Sequence, residues 1–294
     1  MSKPARSLAG KVVVITGAAR GIGKSTAEQL AAKGAVIAIG DLDGELAAEV
    51  AAGLGTKSFG ARLDVTDRPA FTAFLDDVEQ RLGPIDVLIN NAGIMPTGPI
   101  EEEDDASTTR QIQINLHAVI HGTREAVTRM KPRRTGHIVN ISSAAGKVAG
   151  ARVATYAATK FGVAGFTEAV KIELQGTGVE ISSVFPAITN TALADGLGNL
   201  RGMPRMEPDD IAREIVRGLE HPKLEIPAPR SLGLLLGFNQ ALPWRVRLGL
   251  ARVLKTDSVI SQIDHQKRAE YEERVNQRMA ANDAADERDG AGVA

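Results

Sequence analysis

The feature that most restricts what this chain can fold into is a regular alternation. Short runs rich in β-branched and apolar residues are separated by longer segments with apolar residues at helical spacing. The runs are Val12–Thr16, Ala35–Ile39, Lys57–Leu63, Ile85–Asn90, Gly136–Ser142, Val179–Phe185 and Leu224–Ile226. Most are too continuously apolar to alternate inward and outward faces, the pattern of strands buried on both sides. Helical segments lie between them at Ile22–Lys33, Gly44–Leu54, Arg68–Leu82, Ser107–Met130, Thr155–Gln175 and Pro208–Leu219, and a proline suits the first turn of the last. Strand–helix–strand units cross over right-handedly. The pattern therefore predicts an α/β, Rossmann-type doubly wound fold, with a parallel seven-stranded sheet between two helical layers.

Composition removes whole classes of function. Thirty-five Lys and Arg against 36 Asp and Glu give a net charge of −1, so no general basic field exists to hold nucleic acid by neutralising phosphates. The chain is 43% apolar and 24% charged, which excludes a disordered, collagen-like or coiled-coil protein. Without cysteine there is no disulfide, thiolate nucleophile or zinc–thiolate site. The first ten residues lack the apolar run of a signal peptide, and no stretch approaches the ~18 apolar residues of a membrane span, so the expected location is cytoplasmic.

Strand Val12–Ile15 runs into Thr16-Gly17-Ala18-Ala19-Arg20-Gly21-Ile22-Gly23, then into a segment with Ala27, Leu30 and Ala31 at helical spacing. Residues without a Cβ let backbone N–H groups and the next helix's N-terminus come close to a pyrophosphate. The spacing is Gly-x3-Gly-x-Gly. It is neither the longer Gly-x-Gly-x-x-Gly fingerprint nor a P-loop, since no Gly-Lys-Ser/Thr closes it. Following the first strand of an α/β chain, it reads as a dinucleotide loop rather than an ordinary turn. Asp41 ends the second strand 18 residues past Gly23, near the ~20 expected of the acid that accepts from the adenosine ribose hydroxyls. A carboxylate there repels a 2′-phosphate, so NAD is expected, with NADP second because Arg20 is able to pair with that phosphate. Asp64-Val65 and Asn90-Asn91-Ala92-Gly93 follow the third and fourth strands, at carboxyl ends that line the ligand crevice of such sheets.

One of the two tyrosines stands in Tyr156-Ala-Ala-Thr-Lys160. Positions i and i+4 share a helix face, so the Lys160 ammonium lies near the Tyr156 phenol. A phenol of pKa ~10 is a poor base at neutral pH, and a nearby cation is expected to lower that value. Such a pair exchanges a proton with an alcohol, although Tyr-x-x-x-Lys alone is also a common chance pattern. Ser142-Ser143 closes the fifth strand just before this helix and brings a hydroxyl to the same end of the sheet.

With these pieces in this order the chain resembles the short-chain dehydrogenase/reductase (SDR) family, in its subtype of roughly 250 residues. The resemblance spans about residues 8–226. It implies that Gly17, Arg20, Gly21, Ile22 and Gly23 bind the cofactor, that Asp64 and Val65 flank adenine, and that Asn91, Ala92 and Gly93 border the same site. It implies a catalytic set of Asn115, Ser143, Tyr156 and Lys160. The 13-residue step from Ser143 to Tyr156 selects Ser143 over Ser142, which instead supports the strand end. Where the family has Pro-Gly-x3-Thr after the sixth strand, this chain reads Pro186-Ala187-Ile188-Thr189-Asn190-Thr191, so alanine replaces glycine beside the nicotinamide. By the resemblance, Thr189 offers its backbone to the carboxamide and Thr191 its hydroxyl.

The activity implied is hydride transfer between a carbinol carbon and nicotinamide C4. Tyr156 exchanges the hydroxyl proton, and Ser143 holds the substrate oxygen. Lys160 lowers the Tyr156 pKa and holds the nicotinamide ribose, and Asn115 positions a water relaying protons to Lys160. The alternative is a non-catalytic NAD(H)-binding regulatory protein on the same fold, which has no need of a proton relay. The resemblance also implies a homo-oligomer, dimer or tetramer, paired through the helices after the fourth and fifth strands. Residues 1–228 read as the dinucleotide-binding and catalytic domain, and 229–294 as a helical C-terminal extension with a frayed end.

Weaker signals complete the reading. His117 and His121 are four apart, but no Glu completes a His-Glu-x-x-His motif, so no metal is expected. The acidic run Glu101–Asp105 suits a helix N-terminus. After Thr191 the region that carries the family's substrate lid is short, and Gly196, Gly198, Gly202 and Pro204 predict a mobile one. Pro229–Lys255 is Leu-rich with interleaved Arg245, Arg247 and Arg252. It resembles the apolar C-terminal segment of SDR members acting on retinoids, steroids and long-chain alcohols. Three roles stay open for it: a pocket wall for a lipophilic alcohol or ketone, a peripheral contact with an anionic membrane surface, or packing on its own domain or a subunit partner. The charged stretch His265–Ala294 reads as a solvated helix fraying into disorder.

Overall fold

The computed structural model describes residues 4–55, 57–198, 205–253, 264 and 266–277; Gly202, Pro204 and the expected frayed end over 278–294 lie outside them. Among the described residues the strands are β1 (Val12–Thr16), β2 (Val36–Asp41), β3 (Ser58–Arg62), β4 (Val87–Asn90), β5 (Gly136–Ile141), β6 (Val179–Pro186) and β7 (Glu225–Ala228). They form one parallel sheet in the order β3-β2-β1-β4-β5-β6-β7. The chain winds outward from β1 in one direction and from β4 in the other, which opens a crevice at the carboxyl ends of those two strands.

Period-two alternation decides which helices cover which face. Val13 and Ile15 of β1 point into an apolar cluster with Ala27 and Leu30 of α1 (Gly21–Ala32), Ala47 of α2 (Gly44–Gly53) and Ile211 and Ile215 of α7 (Pro208–Glu220). Val12 and Val14 point the other way, to Phe71 and Leu75 of α3 (Arg68–Leu82), Met130 of α5 (Ala118–Met130) and Leu174, which caps α6 (Ala154–Glu173). The two layers are the predicted ones.

The predicted helix Ser107–Met130 is instead interrupted. An α-helix over Asp105–Ile112 (α4) passes into a π-turn at Gln113–His117 before α5 begins. The buried positions Gln111, Ile114, Asn115, Ala118 and Val119 run through it at three- and four-residue steps, so the sequence periodicity shows no break there. The π-turn points Asn115 fully inward.

Beyond β7 the chain continues as α8 (Arg230–Ala241), α9 (Trp244–Val253) and a helix over 266–277, here α10. Leu232 and Leu236 of α8 pack on Phe185 and Ala187, so the methyl that replaces the family glycine at 187 fills apolar space. The expectation of a solvated helix fails for α10, since Arg268 and Tyr271 are buried.

Buried amides and hydroxyls tie the sheet to the helices that carry the site. Asn140 on β5 accepts from Asn90 Nδ2 (2.9 Å) and Thr123 Oγ1 (3.3 Å) and donates to Thr167 Oγ1 (3.0 Å). Replacing it with Leu leaves several polar atoms unpaired at once, so Asn140→Leu is expected to cost ~2–4 kcal/mol in urea unfolding.

Candidate active site

The crevice is built by two loops in contact. At Gly17 (φ +63°) an added Cβ would lie 2.8 Å from the Ala92 Cα, so only glycine lets the loop after β1 meet the loop after β4. Asn91 Nδ2 donates to the carbonyls of Thr16 and Gly17, both at 2.9 Å, and Thr16 Oγ1 accepts from the backbone N–H groups of Asn91 and Ala92. Gly23 packs as closely on Ala18, while a Cβ at Gly21 (φ +56°) would lie 3.2 Å from Thr191 Cγ2. Thr189 is buried with its hydroxyl on the Ala187 carbonyl (2.9 Å). Helix α1 begins at Gly21, with Ile22 in its first turn, and no side chain caps it. Its first N–H groups face the crevice as an uncompensated positive end, which fits a pyrophosphate.

Asp41 ends β2 with Oδ2 accepting from the Ala19 N–H (3.0 Å) and Oδ1 from the Asp43 N–H (3.2 Å). Arg20, the candidate partner for a 2′-phosphate, is held by Asp43 Oδ2 at 2.7 Å. Asp64 is buried and accepts from the backbone and hydroxyl of Thr66 (2.8 and 2.7 Å), and Val65 beside it is buried too. An open groove of about 500 Å³ runs from Asp64 to Thr109 and Gln113.

The four expected catalytic residues meet beyond Gly93. Asn115 Oδ1 accepts from the Ile94 N–H (2.9 Å) and its Nδ2 donates to the Ile94 carbonyl (2.8 Å), so the π-turn is clamped to the loop after β4. Thr159 links it onward: its hydroxyl receives Asn115 Nδ2 at 3.4 Å and donates to the Tyr156 carbonyl at 2.7 Å. A Cβ at Gly93 would lie 3.1 Å from Asn115 Oδ1 and 3.6 Å from Lys160 Nζ. Ser142 Oγ donates to the Lys160 carbonyl (2.8 Å), the supporting role expected of it, while Ser143 hydrogen-bonds the Tyr156 phenol.

One expectation about this pair is corrected. Burial pushes the Tyr156 phenol up to about 12, outweighing the Ser143 hydrogen bond that pulls it down. The Lys160 ammonium is 5.6 Å from the phenol ring centroid and donates to the Ile141 carbonyl at 3.0 Å, and burial pulls it down to about 8. Its charge therefore does not set the direction of the phenol's shift.

The burial comes from residues that the sequence did not single out. Helix α10 bridges the two rims of the crevice. On one side Tyr271 Oη accepts from the Met95 N–H (3.2 Å) and Glu272 Oε1 from the Thr97 N–H (3.2 Å). On the other, Arg274 pairs with Asp195 (3.1 Å), and Asp264, which precedes the helix, donates its N–H to the Gly196 carbonyl (2.9 Å). Gly196, expected in a mobile lid, is thus anchored. Met95, Val153 and Tyr156 form an apolar cluster with Ile188, Leu193 and Leu197. The available signal was the spacing of Arg268, Tyr271 and Val275 on one helix face.

The unfolded chain keeps the Lys160 ammonium up to its ordinary 10.5 and the folded chain only up to about 8, so stability rises with pH through that window. Lys160→Met is accordingly expected to be more stable than the wild type at pH 7 by ~2–3 kcal/mol, with the gap shrinking toward pH 10 in urea unfolding.

Comparison with known proteins gives the same family throughout. A family model described as short chain dehydrogenase matches residues 11–200. A trans-4-hydroxycyclohexanecarboxylate dehydrogenase of Sinomonas cyclohexanicum is 38% identical, over 73% of this chain and 86% of that protein. An estradiol 17-beta-dehydrogenase 11 of Macaca fascicularis is 30% identical over 88% of both. Among solved structures, a 3-ketoacyl-(acyl-carrier-protein) reductase from Brucella melitensis complexed with NADH superposes with TM-score 0.69 at 27% identity, covering 76% of this chain and 100% of that one. The chain belongs to the short-chain dehydrogenases, and it is an oxidoreductase that acts on CH–OH groups with a nicotinamide cofactor.

Proposed function

We propose that the protein interconverts a lipophilic secondary alcohol and its ketone with NAD, in the cytoplasm, using Asn115, Ser143, Tyr156 and Lys160. The observation that carries this reading is the linked path from the Ile94 backbone through Asn115 and Thr159 to Tyr156, with Ser143 on the phenol. A protein that only bound the cofactor would have no use for it. When bound, the nicotinamide supplies the two-electron acceptor or donor at the carbinol carbon. Tyr156 takes the carbinol proton in oxidation and returns it in reduction, and Ser143 holds the oxygen as its charge changes. Lys160 holds the nicotinamide ribose, and Asn115 positions a water that passes the proton onward.

NAD is favoured by the Asp41 carboxylate and by the engagement of Arg20 with Asp43, which removes the cation a 2′-phosphate would need. Thr189 and Thr191 serve the carboxamide, Asp64 and Val65 the adenine. The apolar residues around Tyr156 favour a lipophilic substrate, as do relatives named for hydroxysteroids, while those named for hydroxycyclohexanecarboxylates carry the hydroxyl on a saturated ring. Absorbance of reduced nicotinamide tests the whole reading. Secondary ring alcohols are expected to react with NAD⁺ at least ~10-fold faster than with NADP⁺. Oxidation should accelerate with pH, because the phenol of pKa about 12 must lose its proton. Tyr156→Phe should lose ~10²–10⁴-fold, and wild-type rates in that variant would sink the assignment.

The domain is taken to end near residue 228, where α8 and α9 offer a different surface. Leu234, Leu235, Phe238, Trp244 and Val246 are exposed. Pro229–Lys255 carries Arg230, Arg245, Arg247, Arg252 and Lys255 and no acidic residue. That combination favours peripheral contact with an anionic lipid surface. Among the described residues no helix is long and apolar enough to cross a membrane. Exposed Ile112 on α4 and Phe161 and Ile172 on α6 favour a homo-oligomer. Sedimentation reads both proposals: a particle of at least two chains, and binding to phosphatidylserine vesicles that Trp244→Glu weakens. A monomer, or no vesicle binding, removes the corresponding one.

A further inference from the structure

The acidic run before α4 holds one side chain that turns inward. Asp104 caps the helix, accepting from the Ser107 N–H at 2.6 Å, while Glu101, Glu102 and Asp105 are exposed. Glu103, directly after a 3₁₀ turn over Ile100–Glu102, is half-buried between two helices. Its Oε1 accepts from Gln111 Nε2 (2.7 Å) and from Thr108 Oγ1 (3.0 Å), both on α4. Its Oε2 accepts from Thr155 Oγ1 (3.0 Å) in the first turn of α6. Gln111 is buried and stands one turn before Asn115, and Thr155 is the residue next to Tyr156. One carboxylate thus bridges the helix that leads to Asn115 and the helix that carries Tyr156 and Lys160. A carboxylate suits the place, since its two oxygens accept without donating and three donors converge on them.

The bridge matters because of where the tyrosine stands. Tyr156 is the third residue of α6, in the first turn, where a helix is least secure. No side chain caps that turn and it contains no acidic residue, so nothing in α6 itself offsets its positive end. The Glu103 carboxylate brings a negative charge there and a bond to the turn itself. Lys160, a turn deeper, is held separately by the Ile141 carbonyl. A second polar link between the two sides, from Asn115 Nδ2 to Thr159 Oγ1, is longer at 3.4 Å. We propose that Glu103 is a positioning residue of the reaction: it pins the first turn of α6 to α4, and so holds the Tyr156 phenol against Ser143 and in register with Asn115. This rests on the reading of Tyr156 as the group that exchanges the carbinol proton. The side chains that Glu103 engages lie on α4 and α6, away from the loops after β1 and β4, so loss of the bridge slows the chemical step without loosening the cofactor.

The test measures turnover of cyclohexanol at saturating NAD⁺ and calorimetric binding of NADH, in variants shown to be folded by circular dichroism. Glu103→Ala is expected to lower kcat ~10-fold or more, because small misplacements of a reacting group are costly. Its Kd for NADH should stay within about twofold of the wild type. Thr155→Val removes one hydroxyl from the other end of the bridge and should lose as much, and the double variant should lose no more than either single one. In Glu103→Gln the side-chain oxygen still accepts from Gln111 and the amide donates to Thr155 Oγ1, so kcat should return to within about twofold of the wild type. Should Glu103→Ala not fold, Thr155→Val decides alone. Wild-type kcat in Thr155→Val overturns the proposal, and so does a loss of NADH affinity equal to the loss of kcat. Losses that multiply to ~100-fold in the double variant overturn it too, as does a Glu103→Gln as slow as Glu103→Ala. Tyr156→Phe is scored alongside. If it turns over at the wild-type rate, or if the wild type leaves cyclohexanol unreacted, the reading of Tyr156 falls and the role of Glu103 with it. If Tyr156→Phe is slow while Thr155→Val is not, only the role of Glu103 falls.

Discussion

The approach of β1 to β4 at their carboxyl ends is the contact on which the site depends. With a Cβ excluded at 2.8 Å from Ala92, Gly17 lets the two loops touch, and Thr16 and Asn91 lock them with four hydrogen bonds. From that junction α1 leaves with its N-terminus toward the crevice, and the next residue along β4's loop, Gly93, reaches Asn115 and Lys160. The pyrophosphate end and the proton-transfer end are therefore positioned by one junction. A side chain there would displace both ends together, although neither contacts the other.

The site is also where the fold gives up stability. A lysine and a tyrosine are buried side by side, each driven toward its neutral form. Burial of that kind is unfavourable unless paired, and here the pairing is one backbone carbonyl and one serine. Two apolar clusters, one on each face of the sheet, supply what offsets it.

The strands and their layers were legible because burial on both faces leaves a continuous apolar run, and β1 and α3 begin and end where the sequence places them. The loop at 17–23 and the Tyr156–Lys160 pair were legible because each depends on local spacing. The π-turn at Asn115 was not, since the buried positions on either side of it keep ordinary helical steps. The sign of the Tyr156 shift was not either, because the helix that buries the phenol is more than a hundred residues away in the chain. Arg268 and Tyr271 lie in a stretch dominated by Lys, Arg and Glu, and such a stretch reads as solvated until its partners at 95–97 and 193–196 are known. Ala187 stood out in the sequence only as alanine in place of the family glycine; its methyl belongs to the packing of α8.

The bond from Met95 to Tyr271 joins residues 176 apart in sequence, and its consequence is one of timing. A ribosome releases β1 to β7 before any of α10 exists, so the sheet and both apolar layers can form around an uncovered crevice. The phenol is enclosed only when the last described helix arrives. Fold and function are thereby completed at different moments of synthesis. Clipping or tagging the carboxyl end would act on the chemistry while leaving the sheet as it was.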